Sequence, residues 1–293
     1  MKILITGGSG MVGKHLQEIL PDATYIGSKD CDLTSWKEVE YMMFLQKPDH
    51  IIHLAAKVGG IQDNIAKPAE YFDDNILMNT HILKASLKYN VKRFTGILST
   101  CIYPDVVEKY PMKEEDMFLG PPAKTNFSYG STKRCMALQI DAYNKQYGTK
   151  YNYLIPCNLY SEYDNFNNEI KMHFMTALLK KIKESNNILN LLGTGKPLRQ
   201  FMYAGDLARV IKEVIDKKIT NSFNVATPEN LSIDDIANIT LNILNKDLQI
   251  KYSNPELDGQ FRKDVSNEKL LIYIPNFKFT SFEEGIKKVY TKI

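Results

Sequence analysis

The segment ILITGGSGMVG, residues 3–13, decides the fold of this chain. A short β-branched run is followed by three glycines in a G-x-x-G-x-x-G pattern, and the glycines open an amphipathic stretch. Glycines at this spacing let the backbone turn tightly and approach a pyrophosphate, which sits against the N–H groups at a helix N-terminus. A strand before them and a helix after them therefore predict a dinucleotide-binding βαβ unit. The predicted contacts are Gly7, Gly10, Met11, Val12 and Gly13.

Short apolar runs and longer amphipathic stretches alternate through the first half of the chain. Strands are predicted at 2–6, 23–27, 51–55, 93–99 and 151–156, and helices at 11–20, 35–46, 69–89 and 129–147. This alternation predicts an α/β fold with a doubly wound parallel sheet of the Rossmann type. We expect a dinucleotide-binding domain over 1–160, to which 203–226 return, and a smaller, interleaved substrate lobe over most of 161–293.

The composition excludes several classes of protein. The chain has 293 residues, of which 44% are hydrophobic and 24% charged, with a formal charge of +3. These values are ordinary for a globular protein, and the interspersed charges give no basic block for nucleic acid. No stretch approaches the ~18 apolar residues of a membrane helix, and the four cysteines have no metal-ligand or disulfide spacing. We expect a reduced, soluble, cytoplasmic protein with no metal site.

The tip of the second predicted strand indicates which dinucleotide is bound. An acidic residue there would hold the ribose hydroxyls of NAD and repel a 2′-phosphate. Here the tip carries Ser28 and Lys29, with no acid until Asp30. A hydroxyl and an ammonium can both donate to a phosphate, so the sequence favours NADP(H) over NAD(H). Asp32 and Leu33 are placed to meet the adenine.

Three residues predict proton transfer coupled to hydride transfer. Tyr129 and Lys133 are four apart on a predicted helix, so they are neighbours on one face. Ser99 ends a predicted strand, at the carboxyl edge where open α/β sheets bind ligands. An ammonium beside a phenol favours the phenolate and is expected to lower the tyrosine pKa. The tyrosine would then protonate a carbonyl oxygen that Ser99 orients.

These motifs together resemble the extended short-chain dehydrogenase/reductases. The segments HLAAKVGGI at 53–61, STCIYP at 99–104, NLY at 158–160 with DNF at 164–166, and RQF at 199–201 are more specific. They resemble the GDP-L-fucose synthase family over most of the chain. The resemblance implies reduction of the C4 ketone of GDP-4-keto-6-deoxymannose with NADPH after epimerisation at C3 and C5. It also implies a homodimer and a role in capsule or glycan biosynthesis.

The resemblance also implies roles for residues that periodicity alone would not select. Cys101 and His173 become the epimerisation acid/base pair, because a thiolate can remove a proton while an imidazolium delivers one. Contacts to the GDP-sugar fall on Lys57, Asn158, Arg199, Asp258 and Arg262. Read without the family, Cys101 is a small buried hydrophobe, His173 a capped or surface histidine, and Lys57 and Arg262 are solvated charges.

One departure from the family pattern leaves alternatives open. Ser161 stands where the family usually has glycine, and it is expected to add a side chain near the sugar pocket. A C4 reductase of a GDP-4-keto-heptose or a related GDP-keto sugar, without epimerisation, is therefore the second hypothesis. A non-catalytic NADP(H)-binding regulator is the third, and an intact Ser99, Tyr129 and Lys133 argues against it.

Overall fold

The computed structural model describes residues 1–166 and 172–292, with the backbone alone at 61 and 62. The strands are β1 (Ile3–Thr6), β2 (Thr24–Ile26), β3 (His50–His53), β4 (Arg93–Ile97), β5 (Tyr151–Pro156), β6 (Asn158–Tyr160), β7 (Ile188–Leu192), β8 (Leu198–Arg199), β9 (Phe201–Tyr203), β10 (Phe223–Val225), β11 (Leu231–Ser232) and β12 (Gln249–Ser253). The helices are α1 (Met11–Ile19), α2 (Trp36–Gln46), α3 (Ile61–Ala66), α4 (Pro68–Lys88), α5 (Phe127–Tyr147), α6 (Phe174–Glu184), α7 (Ala204–Asp216), α8 (Ile233–Ile243), α9 (Glu268–Tyr273) and α10 (Phe282–Tyr290).

A parallel sheet forms the centre of the molecule. In the described residues its strand order is β10-β5-β4-β3-β1-β2, and each neighbouring pair runs parallel. The order reverses between β1 and β3, which is the switch point where such sheets bind ligands outside the carboxyl ends of their strands. The predicted α/β fold with a doubly wound parallel sheet is confirmed. Strand β10 also brings the chain back to the sheet edge, as the sequence predicts.

Most predicted elements end within two residues of their observed bounds. Ser35 caps α2 through its hydroxyl, which accepts the Glu38 N–H at 3.5 Å. The Glu38 carboxylate accepts the N–H of Asp32 at 2.8 Å, so it does not complete a capping box with the Ser35 N–H. Ser232 does form a complete capping box with Asp235. These caps fix where the helices begin and set the direction in which the chain enters them.

The buried apolar residues of the described ranges form two separate hydrophobic cores. The larger core packs around the central sheet and also includes Val265, Leu270 and Ile274 from near the C-terminus. The smaller core joins α6, α8 and α10 to the short strands β7 and β9. We propose that the two cores correspond to the dinucleotide-binding and substrate lobes expected from the sequence, with the chain crossing between them several times.

Gly13 holds α1 close to the loop that follows β1, and an alanine there is expected to destabilise the fold. A Cβ on Gly13 would lie 2.4 Å from the Gly8 carbonyl oxygen, so helix and loop must move apart. We expect Gly13→Ala to lower the free energy of unfolding by about 1–3 kcal/mol in urea titrations. Lys14→Ala changes an exposed position of the same helix and is the matched control. Equal stability of the two variants would contradict this close packing.

Candidate functional site

A large cleft runs across the carboxyl edge of the sheet. Its volume is about 1420 Å³, which exceeds the ~300–1,000 Å³ of a typical small-molecule site. The glycine loop and the tip of β2 line one part of it, and residues of α6, β8 and β9 line another. This volume has room for a dinucleotide and a second ligand side by side.

The glycine-loop end of the cleft fits a dinucleotide. Gly7 has a φ of +73°, and a Cβ there would lie 2.7 Å from the Ala55 backbone nitrogen. Gly10 is the N-cap of α1, which has no side-chain cap and no acidic residue in its first turn. The first N–H groups of α1 are thus left for a ligand, and the local field favours an anion. The predicted contacts Gly7, Gly10, Met11, Val12 and Gly13 all line the cleft.

The tip of β2 presents a hydroxyl to the cleft. Ser28, Asp32 and Leu33 line it as predicted, whereas Lys29 is exposed on the turn beside Ser28 and is not among the lining residues. The Asp30 carboxylate turns back and accepts the Gly27 N–H at 2.7 Å. The position that would repel a 2′-phosphate is therefore filled by a serine.

Ser99, Tyr129 and Lys133 converge on the middle of the cleft. Ser99 follows β4, while Tyr129 and Lys133 lie on one face of α5. The Lys133 Nζ lies 5.9 Å from the centroid of the Tyr129 ring and donates to the Ile97 carbonyl oxygen at 2.7 Å. Lys133 is only 2% exposed, so its ammonium is fixed by this contact. The three residues that the sequence singled out occupy one space.

The protonation state of Tyr129 differs from the expectation. Burial raises the Tyr129 pKa above its usual value, the nearby Cys101 raises it further, and the Ser99 hydroxyl acts in the opposite direction. The expected lowering of this pKa by Lys133 is therefore wrong for the ligand-free chain. At neutral pH the phenol carries its proton, which is the form that can donate.

Lys133 gives the ligand-free protein a measurable pH dependence. Burial lowers the pKa of Lys133 to about 8, from 10.5 in an unfolded chain. The unfolded state therefore binds more protons between these two values, so stability rises with pH in that window. We expect the free energy of unfolding of wild type to rise by about 1–2 kcal/mol relative to Lys133→Met between pH 8 and 9.5. Parallel pH profiles for the two proteins would contradict the buried, charged amine.

Cys101 lies opposite this set in an environment of hydrogen-bond donors. Its Sγ accepts from the Asn126 side-chain amide at 2.9 Å and from the Lys263 Nζ at 3.6 Å. Both Asn126 and Lys263 line the cleft, and Lys263 is only 9% exposed. The Cys101 sulfur is thus contacted by two nitrogen donors at the wall of the cleft.

His173 lies beside a carboxylate, that of Asp164. It is the N-cap residue of α6 and lines the cleft, and its Nδ1 lies 3.1 Å from both carboxylate oxygens of Asp164. Burial lowers the His173 pKa, but the hydrogen bond and the charge of Asp164 outweigh it and raise this pKa above 6.5. The Asp164 carboxylate thus stabilises the imidazolium form of His173 relative to an isolated histidine.

The second-lobe end of the cleft contains an unpaired guanidinium. Arg199 donates to the carbonyl oxygens of Leu198 at 2.8 Å and Asp258 at 3.3 Å. Within the described part of the chain, no carboxylate lies in ion-pair contact with Arg199. The Asp258 carboxylate instead accepts from the Thr194 N–H and hydroxyl, both at 2.6 Å. Arg199 can therefore offer its charge to an anionic ligand, while Asp258 shapes the adjoining loop.

Two other residues expected to bind substrate, Asn158 and Lys57, line the cleft, but Lys57 is held by carboxylates. Asn158 lines the cleft, and its amide donates to the Gln200 carbonyl oxygen at 2.8 Å. Lys57 also lines it, but its Nζ is paired with Glu70 at 2.7 Å and Asp74 at 2.8 Å. These two carboxylates neutralise the charge that a phosphate contact would use.

Arg262 does not reach the cleft. Its guanidinium pairs with Asp264 at 2.6 Å and lies over the Tyr110 ring at 4.5 Å. The neighbouring Lys263 lines the cleft in its place. Successive side chains of an extended backbone point to opposite sides, and this accounts for the one-residue difference.

Ser161 does not line the cleft, whereas the sequence led us to expect its side chain near the sugar pocket. It is fully buried, and its hydroxyl lies 2.8 Å from the His15 Nε2. Tyr203 donates to Glu162 at 2.8 Å beside this pair. The serine thus links α1 to the second lobe behind the cleft, where it does not change the shape of the ligand space.

Sequence reasoning missed Asn126 and Asp164 as candidate site residues, and it assigned Lys263 either to a phosphate or to a charged surface pair, with no contact to Cys101. Asp164 belongs to a segment noted for its resemblance, and Asn126 precedes Tyr129 by three residues, yet neither spacing indicates the contacts made. In residues 1–166 and 172–292, no cluster of histidine, cysteine or acidic side chains is arranged to hold a metal ion. None of the helices in those ranges is both long and apolar enough to cross a bilayer.

Comparison with known proteins agrees with this arrangement. Residues 3–226 match the NAD dependent epimerase/dehydratase family. A probable GDP-L-fucose synthase of Drosophila melanogaster is 32% identical, over 97% of this chain and 94% of the relative. The GDP-L-fucose synthase of Dictyostelium discoideum is 34% identical, over 98% and 93%.

The solved structures include a similar chain. A GDP-L-fucose synthetase from Naegleria fowleri bound to NADP has a TM-score of 0.88 and 31% identity, covering 99% of this chain and 91% of that one. The relatives found by sequence and the one found by structure each match nearly the full length of this chain. The protein belongs to the NAD dependent epimerase/dehydratase family, among relatives that include the GDP-L-fucose synthases.

Proposed function

We propose that this protein reduces the C4 ketone of a GDP-linked 4-keto-6-deoxy sugar with NADPH, after epimerising the sugar at C3 and C5. One observation carries the proposal. The cleft places a Ser-Tyr-Lys set, a cysteine among hydrogen-bond donors and a histidine beside a carboxylate around the same space. The relatives named as GDP-L-fucose synthases support the choice of substrate.

The cofactor site favours NADPH over NADH. When bound, NADPH supplies the hydride that a ketone reduction needs. The Gly7–Gly13 loop and the open N-terminus of α1 would hold its pyrophosphate, and Ser28 would donate to the 2′-phosphate. NADP named with the Naegleria relative supports this preference. Lys29 does not line the cleft, but it directly follows Ser28, so its positive charge would attract the 2′-phosphate at longer range.

Epimerisation requires a base and an acid on opposite faces of the sugar. In the proposed step, the Cys101 thiolate removes a proton from the carbon beside the ketone, and the C–H electron pair moves to the C4 oxygen as an enolate. The His173 imidazolium then protonates the opposite face, which restores the ketone and leaves a neutral imidazole. Each such acid or base contributes about 10²–10⁴ in rate.

Reduction follows in the same cleft. Tyr129 transfers its hydroxyl proton to the C4 oxygen as the carbon gains the hydride, so the products are a secondary alcohol and NADP⁺. Ser99 orients the oxygen, and the Lys133 ammonium stabilises the phenolate that remains until solvent reprotonates it. Arg199 and Lys263 would contact the diphosphate or the sugar of the bound nucleotide.

One assay separates the candidate functions. GDP-4-keto-6-deoxymannose and NADPH are supplied in deuterated water, and NADPH oxidation and deuterium at C3 and C5 are measured. We expect both oxidation and labelling. Oxidation without label would favour the C4 reductase without epimerisation, for which GDP-4-keto-heptose analogues are the next substrates. Tight NADPH binding with no reduction of any keto sugar would leave the non-catalytic regulator.

We also propose that the chain forms a homodimer in a reducing, cytoplasmic compartment and supplies a GDP-sugar for capsule or glycan assembly. Apolar side chains on the outer faces of α4 and α5 support the dimer, with Phe72 38%, Leu77 40% and Leu138 51% exposed. Four unpaired cysteines support the compartment. Light scattering of the purified chain measures the oligomeric state, and a monomer mass at micromolar concentration would contradict the dimer.

A further inference from the structure

A buried carboxylate beside His173 has no role in the chemistry described so far. The Asp164 side chain is 7% exposed and lies in the loop that follows β6, away from the main sheet. Its oxygens contact the His173 Nδ1 at 3.1 Å and the Thr176 hydroxyl, and its own loop donates the Asn165 N–H at 2.9 Å. A charge buried this far needs a partner, and His173 is the cationic candidate.

We propose that Asp164 is a positioning residue that fixes the His173 ring and holds the proton that this ring delivers to the sugar. The inference rests on the epimerisation proposed above. Because Nδ1 is committed to Asp164, Nε2 is the ring nitrogen left to exchange a proton with a ligand in the cleft. A carboxylate on the far side of an imidazole fixes its tautomer and stabilises its cation, as in hydrolytic triads.

The electrostatic surroundings of His173 support this role. Among the described residues, Asp164 is the charged group that acts on His173, and no lysine, arginine or second carboxylate contributes to its titration. In turn, the His173 interactions lower the Asp164 pKa in spite of burial. The pair therefore places one proton on the histidine and one negative charge behind it.

A structural role is the competing explanation, because the same carboxylate also ties its loop to α6 through Thr176. Two substitutions separate the roles. Asp164→Asn keeps the shape and can still accept a hydrogen bond from the ring, but it removes the charge. Thr176→Val removes the tie to the helix and keeps the charge. Only the first variant alters the electrostatics at His173.

The first measurement needs no substrate. The imidazole of His173 is titrated by NMR and assigned by comparison with His173→Gln. The chain has five histidines, and burial lowers the pKa of both His50 and His53 to about 3, so these two do not titrate in the same range. We expect Asp164→Asn to lower the His173 midpoint by about 1 unit or more, and Thr176→Val to leave it in place.

The second measurement follows epimerisation. Delivery of the His173 proton requires the cation, so deuterium uptake at the epimerised carbons falls as pH rises through the His173 pKa. In Asp164→Asn, the pH range over which deuterium uptake falls should move to lower pH by the same amount as the NMR midpoint of His173. Reduction of an already epimerised substrate should change only a few-fold in both variants.

The outcomes are distinct. An unchanged His173 midpoint in Asp164→Asn, or an equal shift in Thr176→Val, overturns the inference and leaves the proposed function standing. Loss of deuterium uptake with no shift of the pH limb also overturns it, because a purely structural defect gives that result. No deuterium uptake by wild type at any pH would instead refute the proposed epimerisation, even with a shifted midpoint.

Discussion

Replacement of Tyr129 by Phe is expected to lower kcat for reduction of the keto sugar by about 10²–10⁴-fold. The substitution removes the hydroxyl that donates to the C4 oxygen and keeps the ring against Lys133. Because the phenol is protonated in the ligand-free chain, the loss is that of a proton donor, and KM and NADPH affinity should change little. Stopped-flow absorbance of NADPH measures the reduction step directly.

The matched control for this variant lies on the same helix. Tyr143 is half-buried on α5, outside the cleft, so Tyr143→Phe removes an equivalent hydroxyl without touching the site. It should reduce the sugar at the wild-type rate. A Tyr129→Phe variant that also keeps the wild-type rate would show that another group, such as Ser99 or water, donates the proton.

Replacement of Cys101 by Ser is expected to separate the two halves of the reaction. Serine nearly matches cysteine in size and can still accept from Asn126, but its alcohol does not ionise at neutral pH. Deuterium uptake at C3 and C5 should therefore fall by about 10²–10⁴-fold. Reduction of an already epimerised substrate should stay within a few-fold of wild type, because Tyr129 and Lys133 are unchanged.

Cys135→Ser is the control for the loss of a thiol. Cys135 lies on α5, unpaired, and is not a cleft-lining residue, so its replacement should affect neither reaction. An equal loss of isotope uptake and of reduction in Cys101→Ser would contradict the division of roles. Such a result would mean that the cysteine acts in binding or in the packing of the site.

Local patterns in the sequence predict the fold and the reductive centre. The glycine spacing and the alternation of elements depend on residues that are close in the sequence, so they can be recognised without knowing the tertiary structure. Tyr129 and Lys133 are likewise neighbours by helix geometry, and Ser99 follows from the rule for strand ends. These predictions need no long-range contact.

The remaining features depend on contacts between distant segments. Lys263 reaches Cys101 across 162 positions of sequence, and no periodicity predicts that pairing. The pairing of Lys57 with Glu70 and Asp74 depends on how α4 packs beside the loop that holds the lysine. Burial sets the direction of the Tyr129 pKa, and it outweighs the opposing hydrogen bond of the Ser99 hydroxyl. The predicted lowering of the Tyr129 pKa was wrong because the spacing of residues in the sequence identifies neighbours but does not indicate how exposed they are to solvent.

Transfer of deuterium from NADPH to the sugar would show directly whether this cleft reduces the C4 ketone. The enzyme is mixed with GDP-4-keto-6-deoxymannose and NADPH in which both hydrogens at the nicotinamide C4 are replaced by deuterium, and the product is examined by NMR. A cleft that sets the ketone between Tyr129 and the nicotinamide predicts deuterium bonded to C4 of the product sugar, at one atom per NADPH consumed. Unconsumed NADPH, or a product without deuterium at that carbon, would contradict it.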